Sequence, residues 1–503
     1  MIFGFITLVL LLAAWIGALW LLIAPDFGQW SLLKLAAVHL GPPLLLWGVW
    51  MIWRRIRKNK ADQIAAEQEK LAEKERQEKA EAARQKHEAE LAHLRYGCDC
   101  RALALVQVTS VEDDDEPLVP DGEGIAFSTV AKIADEDDDS SERTGEQLLL
   151  EHLRPAIEEA LASICQACPA AAAFPVYISP PAELSGKEVI ASLRQTRVEL
   201  AGELGLPFKA DSEFNRVLFL PTAESVAGSI IGLFEANPEL PAAVILAFDS
   251  PAKRAVTQEV EEDWEQSDVQ AKQRQLHGQP GQGVVALFMT HAQLPEMLGT
   301  APRSAGQYDA LTPYWEKAPV ATGCAAYLEP LSEDDREALQ NAPVLARIHR
   351  SANTQLGAKT MRSMEMARVI EGLLKQARIC AALSEPPRDP ELQLPEASAD
   401  EKETPECQWL VHNAGGVDHA GLRLSALGVA MFNQTIELDP IAEATNVTTK
   451  VGDLGQARGA AMLALSIARA ASAGAAALCA EFTGNADNAG IALSFAVAPQ
   501  GDA

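Results

Sequence analysis

The chain has 503 residues, more than one hydrophobic core usually serves, so several structural units or one duplicated unit are expected. A formal charge of −28 argues against a sequence-independent nucleic-acid binder, because such binding needs Lys and Arg to neutralise phosphates. The eight cysteines (Cys98, Cys100, Cys165, Cys168, Cys324, Cys380, Cys407 and Cys479) are too dispersed for the disulfide framework of a small secreted domain and read as reduced cytoplasmic thiols.

The chain opens on an uncharged apolar run, Ile2 to Ala24, long enough as helix to cross a bilayer core. A basic n-region and a small-residue cleavage site are lacking before Pro25, so a span is expected rather than a cleaved signal peptide. A second run, Trp30 to Trp53, carries only Lys34 and His39 as polar intrusions. Its Pro42-Pro43 pair would break a soluble helix but is tolerable in a membrane, where the freed carbonyls find other partners. Trp47, Trp50 and Trp53 suit an aromatic belt, and Arg54 to Lys60 is strongly basic. The loop between the runs has no Lys or Arg, so both the N-terminus and Lys60 are expected in the cytoplasm, at an inner membrane. A single span followed by an interfacial helix is the competing reading.

Residues 61 to 95 are almost wholly Ala, Glu, Lys, Gln and Arg, which predicts a long exposed helix of about 50 Å. Its apolar positions Ile64, Leu71, Leu91 and Leu94 are too sparse for a coiled-coil seam, so a solvated spacer is expected.

Beyond it, short apolar runs alternate with helical patterns. Strands are expected at Ala102 to Val108, Phe174 to Ser179, Val217 to Leu220, Ala243 to Asp249, Val284 to Thr290, Gly323 to Leu328, Trp409 to His412 and Ala489 to Ala496. Helices are expected at Glu146 to Ile164, Ser185 to Leu204, Val226 to Asn237, Thr360 to Leu383, Ala420 to Phe432 and Gln456 to Ala473. The alternation implies an α/β body with mostly parallel sheets. The Pro-rich acidic segment Ser384 to Glu406 reads as an exposed linker.

Four stretches of this body, in chain order, resemble the thiolase-like fold of β-ketoacyl synthases. They are Leu220-Pro221-Thr222-Ala223-Glu224-Ser225-Val226-Ala227 with the strand Ala243 to Ala247 and turn Phe248-Asp249-Ser250; Gly281 to Leu287; Val451-Gly452-Asp453-Leu454-Gly455-Gln456-Ala457; and Glu481 to Ala489. The resemblance implies a duplicated α-β-α-β-α body. With the anchor at 1–60, the stalk at 61–97 and the linker 384–406 already read from composition, it implies a first half at 98–335 and a second at 336–503. It also implies a nucleophilic cysteine where Glu224 stands, and two stabilising histidines whose positions fall on His412 and Asp453. Thioester exchange needs a strong sulfur nucleophile, and a carboxylate at Asp453 would repel a developing oxyanion. On this alignment the catalytic positions are degenerate and the chain is a pseudo-enzyme. A relocated nucleophile at Cys324, Cys380 or Cys479 would instead make it an acyl-thioester condensing enzyme or acyltransferase.

Other constellations favour structural roles. Cys98-x-Cys100 and Cys165-x-x-Cys168 have spacings that zinc can use, yet buried core cysteines account for them. His412, Asp418 and His419 are close in sequence, but His412 ends a strand and Asp418 fits a helix N-cap. The acidic runs Glu112 to Glu116 and Asp135 to Asp139 lack the pattern of a calcium loop. Phosphate-loop, serine-hydrolase and zinc-protease motifs are absent, and no cofactor or metal is expected. Anchor, spacer and missing nucleophile together read as a membrane-tethered, non-catalytic adaptor or scaffold that binds a protein. The layout and the stretch Thr312 to Lys317 also resemble bacterial type VI secretion lipase-adaptor proteins, which implies a secreted effector as partner.

Overall fold

The computed structural model describes residues 2–23, 31–109, 118–119, 122–131, 145–208, 216–253, 278–299, 323–356, 362–386, 405–483 and 490–499. Two compact units divide it, with the main boundary between Ala89 and Glu90.

The N-terminal unit is built on α1 (Ile2–Ile23) and most of α2 (Leu32–Leu94). Among the described residues one helix, α2, is long and apolar enough to cross a membrane, by length and composition; α1 contributes a shorter apolar stretch, Leu8–Leu21. The expected second span and charged stalk are one continuous helix, which passes through Pro42 and Pro43. Pro42 has no N–H to give the carbonyl four residues earlier, that of Val38. The Trp15 indole Nε1–H of α1 donates to that carbonyl at 2.9 Å. An orphaned backbone acceptor in an apolar helix is thus satisfied by the neighbouring helix.

The second unit contains β1 (Gly97–Thr109), β2 (Ile125–Ala131), α3 (Gly145–Ala167), β3 (Val176–Ser179), α4 (Gly186–Leu204), β4 (Val217–Phe219), α5 (Val226–Ala236), β5 (Ala242–Asp249), β6 (Gly283–His291), α6 (Leu294–Gly299), α7 (Cys324–Leu328) and α8 (Glu333–Asn341). It continues with β7 (Ala346–His349), β8 (Ala352–Gln355), α9 (Ser363–Cys380), β9 (Cys407–His412), α10 (Val417–Asn433), β10 (Ala444–Asn446), α11 (Val447–Lys450), α12 (Arg458–Ala473), β11 (Ala476–Thr483) and β12 (Gly490–Val497).

Strand order reveals a duplication. The first set runs β4-β3-β5-β6-β1, with β3, β4 and β5 parallel and β6 antiparallel to both β5 and β1. In the second set, β10-β9-β11-β12 is followed by β7 and β8; β9, β10 and β11 are parallel, and β12 is antiparallel to its neighbours on both sides. Numbered within each set, with β7 and β8, which both pair with β12, counted as one interrupted strand and with β2, an extra parallel strand beside β1, left aside, both sets read 3-2-4-5-1 with the fifth strand reversed. Antiparallel pairing of β1 with β7, Gly97 opposite His349, joins them. The expected two similar α/β halves are therefore present, but the sheets are mixed rather than mostly parallel.

Successive side chains of a strand face opposite ways, and the core follows that period. Leu103 and Leu105 of β1, Ile245 of β5 and Leu287 of β6 share a core with Ile230 and Phe234 of α5, Leu463 and Ile467 of α12, and Val411 and Ala477 of the second half. Their neighbours Ala104, Val106, Val244 and Phe288 face α3 and α4 through Leu153, Ile157 and Leu193. On the far side Leu410, Leu478 and Leu493 pack on Ile370 and Leu374 of α9 and Leu427 of α10. The layering is α-β-α-β-α, with α5 and α12 in the middle.

Gly323 to Leu328 forms helix α7 and not the expected strand. Six residues are too few for periodicity to separate helix from strand, and Ala325-Ala326 favours helix. Helix α10 has Gly416 at its N-cap, so Asp418 lies within the first turn instead of capping it. The Thr312 to Lys317 stretch, both acidic runs and most of the 384–406 linker lie outside the described residues.

Candidate functional site

The first turn of α5 opens on a cleft of about 420 Å³. After β4 the chain passes without regular structure through Pro221 and Thr222, and Ser225 takes the N-cap of α5 with β-region backbone. The Ser225 hydroxyl accepts from the Gly228 N–H at 3.0 Å and lies 2.7 Å from the Ser351 hydroxyl, while Ser229 Oγ accepts from the Ala223 N–H at 3.0 Å. Ser225 and Ser229 are buried; Glu224 is exposed on the cleft wall, beside the helix N-terminus that favours a negative charge.

The opposite wall is the glycine-led turn before α12. Asp249, wholly buried at the end of β5, accepts from the Ser250 N–H at 2.7 Å and from the Gln456 N–H at 2.8 Å. Gly455, at φ +53°, leaves room for that carboxylate, with which a Cβ there would collide. At Gly459 a Cβ would come within 2.8 Å of Val226 Cγ2 and 2.9 Å of Glu481 Oε1. A side chain at Gly459 would force Val226 or the Glu481 carboxylate to shift, so the bare backbone brings the starts of α5 and α12 close to that carboxylate.

Among the described residues, Glu183, Glu224, Asp249 and Glu481 line the cleft against one guanidinium, Arg458. Burial pushes the Glu481 carboxyl up to about 7, against the opposing pull of Arg458. The arrangement can bind a polar ligand and exchange a proton near neutral pH. Glu481 escaped the sequence reading as a functional group; the signal was a carboxylate in the otherwise apolar run Ala476 to Phe482.

Of the three positions singled out from the sequence, Glu224 lines the cleft and the other two do not. The His412 ring is buried, its Nδ1 accepts from the Ala414 N–H at 3.3 Å, and the Pro440 carbonyl engages it. Burial lowers its pKa to about 4, so the ring is neutral. The Asp453 carboxylate accepts from the Gly455 N–H at 2.9 Å and pairs with Arg458 at 3.2 Å, while its backbone bonds to Gln279 and Gly281. Its side chain shapes the turn.

No cysteine lines the cleft. Burial raises the thiol pKa of Cys324 and Cys380 and lifts those of Cys407 and Cys479 to about 12, which disfavours a thiolate at each. Cys98 and Cys100 face the middle layer, whereas Cys168 faces the outer layer of the first half, so the two cysteine pairs do not converge on one ion. Among the described residues no group of three His, Cys, Asp or Glu side chains is placed to hold a metal.

Neither protein-family profiles nor curated proteins give a match to this sequence. Among solved structures the chain is similar to OleA of Xanthomonas campestris, at 11% identity and TM-score 0.40 over 80% of this chain and 98% of that one. It is also similar to an oxazolomycin ketosynthase domain of Streptomyces albus (12% identity, TM-score 0.36, 81% of this chain and 97% of that one). A third is an HMG-CoA synthase of Bacillus subtilis (14% identity, TM-score 0.34, 80% of this chain and 81% of that one). The duplication stands on this chain's own strand order, not on those similarities.

Proposed function

We propose that this chain is a membrane-tethered, non-catalytic adaptor whose duplicated α/β body binds a protein partner. The observation that carries this reading is the start of α5. Where the resemblance to condensing enzymes calls for a thiol, the helix presents Glu224 and then a serine committed to capping, and no cysteine lines the cleft. A condensing enzyme needs a sulfur nucleophile accessible to its thioester. The reading extends the resemblance to an effector of a type VI secretion machine as the partner.

The tether is proposed as a two-span hairpin at the inner membrane with both ends and the body cytoplasmic. Its support is the uncharged α1, the Trp15 bond to the carbonyl orphaned by Pro42, and the basic exit Arg54 to Lys60. The high thiol pKa values of Cys380 and Cys479 weigh against a relocated nucleophile.

Incubating the purified full chain with an acyl-thioester probe, followed by intact-mass analysis, tests the central claim. The expected result is no covalent acyl adduct on any cysteine. An adduct on any cysteine, Cys324, Cys380 and Cys479 first among them, would overturn the non-catalytic reading; with none, affinity purification of the anchored protein tests the partner claim.

A further inference from the structure

Within the N-terminal unit, one face of α2 (Leu46, Trp47, Val49, Trp50 and Trp53), with Leu11 of α1, lines an open apolar groove of about 500 Å³. Its size falls in the roughly 300–1,000 Å³ range of ligand sites. Two cations stand at the basic end of the tryptophan stripe. The Arg54 guanidinium lies 5.2 Å from the centroid of the Trp50 ring, and that of Arg57 lies 4.6 Å from Trp53. Both pairs are spaced i,i+4, so one helix face carries first indoles and then guanidiniums. Resting on an indole engages the flat face of a guanidinium, while its N–H donors lie in the plane and can grip a phosphate.

An occupant must therefore be apolar along its length and anionic at one end. A partner's transmembrane helix is a poor match, because its cytoplasmic end carries an excess of cations and would meet Arg54 and Arg57 with like charge. We propose that the groove holds one anionic phospholipid, its acyl chain against Trp47, Trp50 and Trp53 and its phosphate on Arg54 and Arg57. This site rests on the reading of residues 2–53 as a membrane anchor. A bound anionic lipid would fix the depth of the hairpin at the cytoplasmic interface.

The test compares the full chain with R54Q/R57Q, extracted from membranes in mild detergent and titrated with phosphatidylglycerol or phosphatidylcholine under native mass spectrometry. The wild type is expected to retain one phosphatidylglycerol in preference to phosphatidylcholine. The double variant should bind phosphatidylglycerol roughly ten- to thirty-fold more weakly, as expected for two cations at a membrane surface. W50A/W53A, which keeps both arginines, should weaken both lipids. Equal retention of phosphatidylglycerol by wild type and R54Q/R57Q, or no preference between the lipids in the wild type, would overturn the site. Arg55, Lys58 and Lys60 remain in R54Q/R57Q to hold the topology, so it should stay in the carbonate-washed membrane fraction. Release of the wild type by that wash would overturn the anchor itself, and the site with it.

Discussion

Glu481 is held at about 7 by burial, well above its ordinary 4.5, and this sets a direction for stability against pH. Between those values the folded chain binds more protons than the unfolded one, so stability is lost as pH rises from about 4.5 and the loss is complete above 7. The shift corresponds to at most roughly 3–4 kcal/mol, an upper bound because the carboxylate lines the cleft and is only partly shielded from solvent. His349 and His412 act oppositely. Burial lowers both to about 4 from an ordinary 6.5, so the unfolded chain takes up the protons first and stability falls as pH drops through that interval. Thermal denaturation of the full chain between pH 5 and 8 should show Glu481→Gln gaining most over the wild type at pH 8 and little at pH 5. A constant difference across that range would show that Glu481 does not titrate there. Glu224 was singled out through the resemblance of Leu220 to Ala227 to condensing enzymes, and it does line the cleft. Glu481 was not, since nothing local in Ala476 to Thr483 says which strand neighbours will strip the carboxylate of water.

At the level of elements, long periodic segments were readable and short ones only in part: β3 and β4 fall within the strands expected at Phe174 to Ser179 and Val217 to Leu220, while other short strands had no local signal. The expected helix at Val226 to Asn237 and the observed Val226–Ala236 nearly coincide, because an N-cap serine and an apolar run are local signals. Strands β7, β8 and β10 are three or four residues each and exist through pairing with β12, β1 and β9, which the sequence of those few residues does not encode. The proline pair in α2 is the opposite case, where a local rule predicts a break and a neighbour overrides it. Trp15→Phe keeps an aromatic side chain, though a smaller one, and removes the donor to the Val38 carbonyl, which should destabilise the packing of α1 on α2 by about 1–2 kcal/mol. The measurement is the rate at which cysteines introduced at facing positions of the two helices crosslink in membranes. A rate unchanged from the wild type would mean that the bond holds nothing.

For the whole molecule, the middle layer decides how far the body can be divided. Side chains of β1, β5, β6 and α5 share one buried cluster with those of β9, β11 and α12, so neither half has a complete core alone. Expressed separately, residues 98–335 and 336–503 should each be insoluble or bind a hydrophobic dye, while co-expression should restore a soluble pair. Two soluble halves with cooperative melting would contradict the shared core. The sequence by itself determined the apolar entry, the basic exit, the charged helix, the α/β alternation and the absence of a thiol at the start of α5. Those are properties of composition and of spacing within one turn or strand. Tertiary structure alone decided that two strand sets repeat one order, that Glu481, Gly459 and Val226 meet, that His412 and Asp453 leave the cleft, and that Trp15 reaches Val38. Each of these depends on backbone segments distant in the chain being brought within a few ångströms, and that proximity is set by the packing of whole layers rather than by any local pattern.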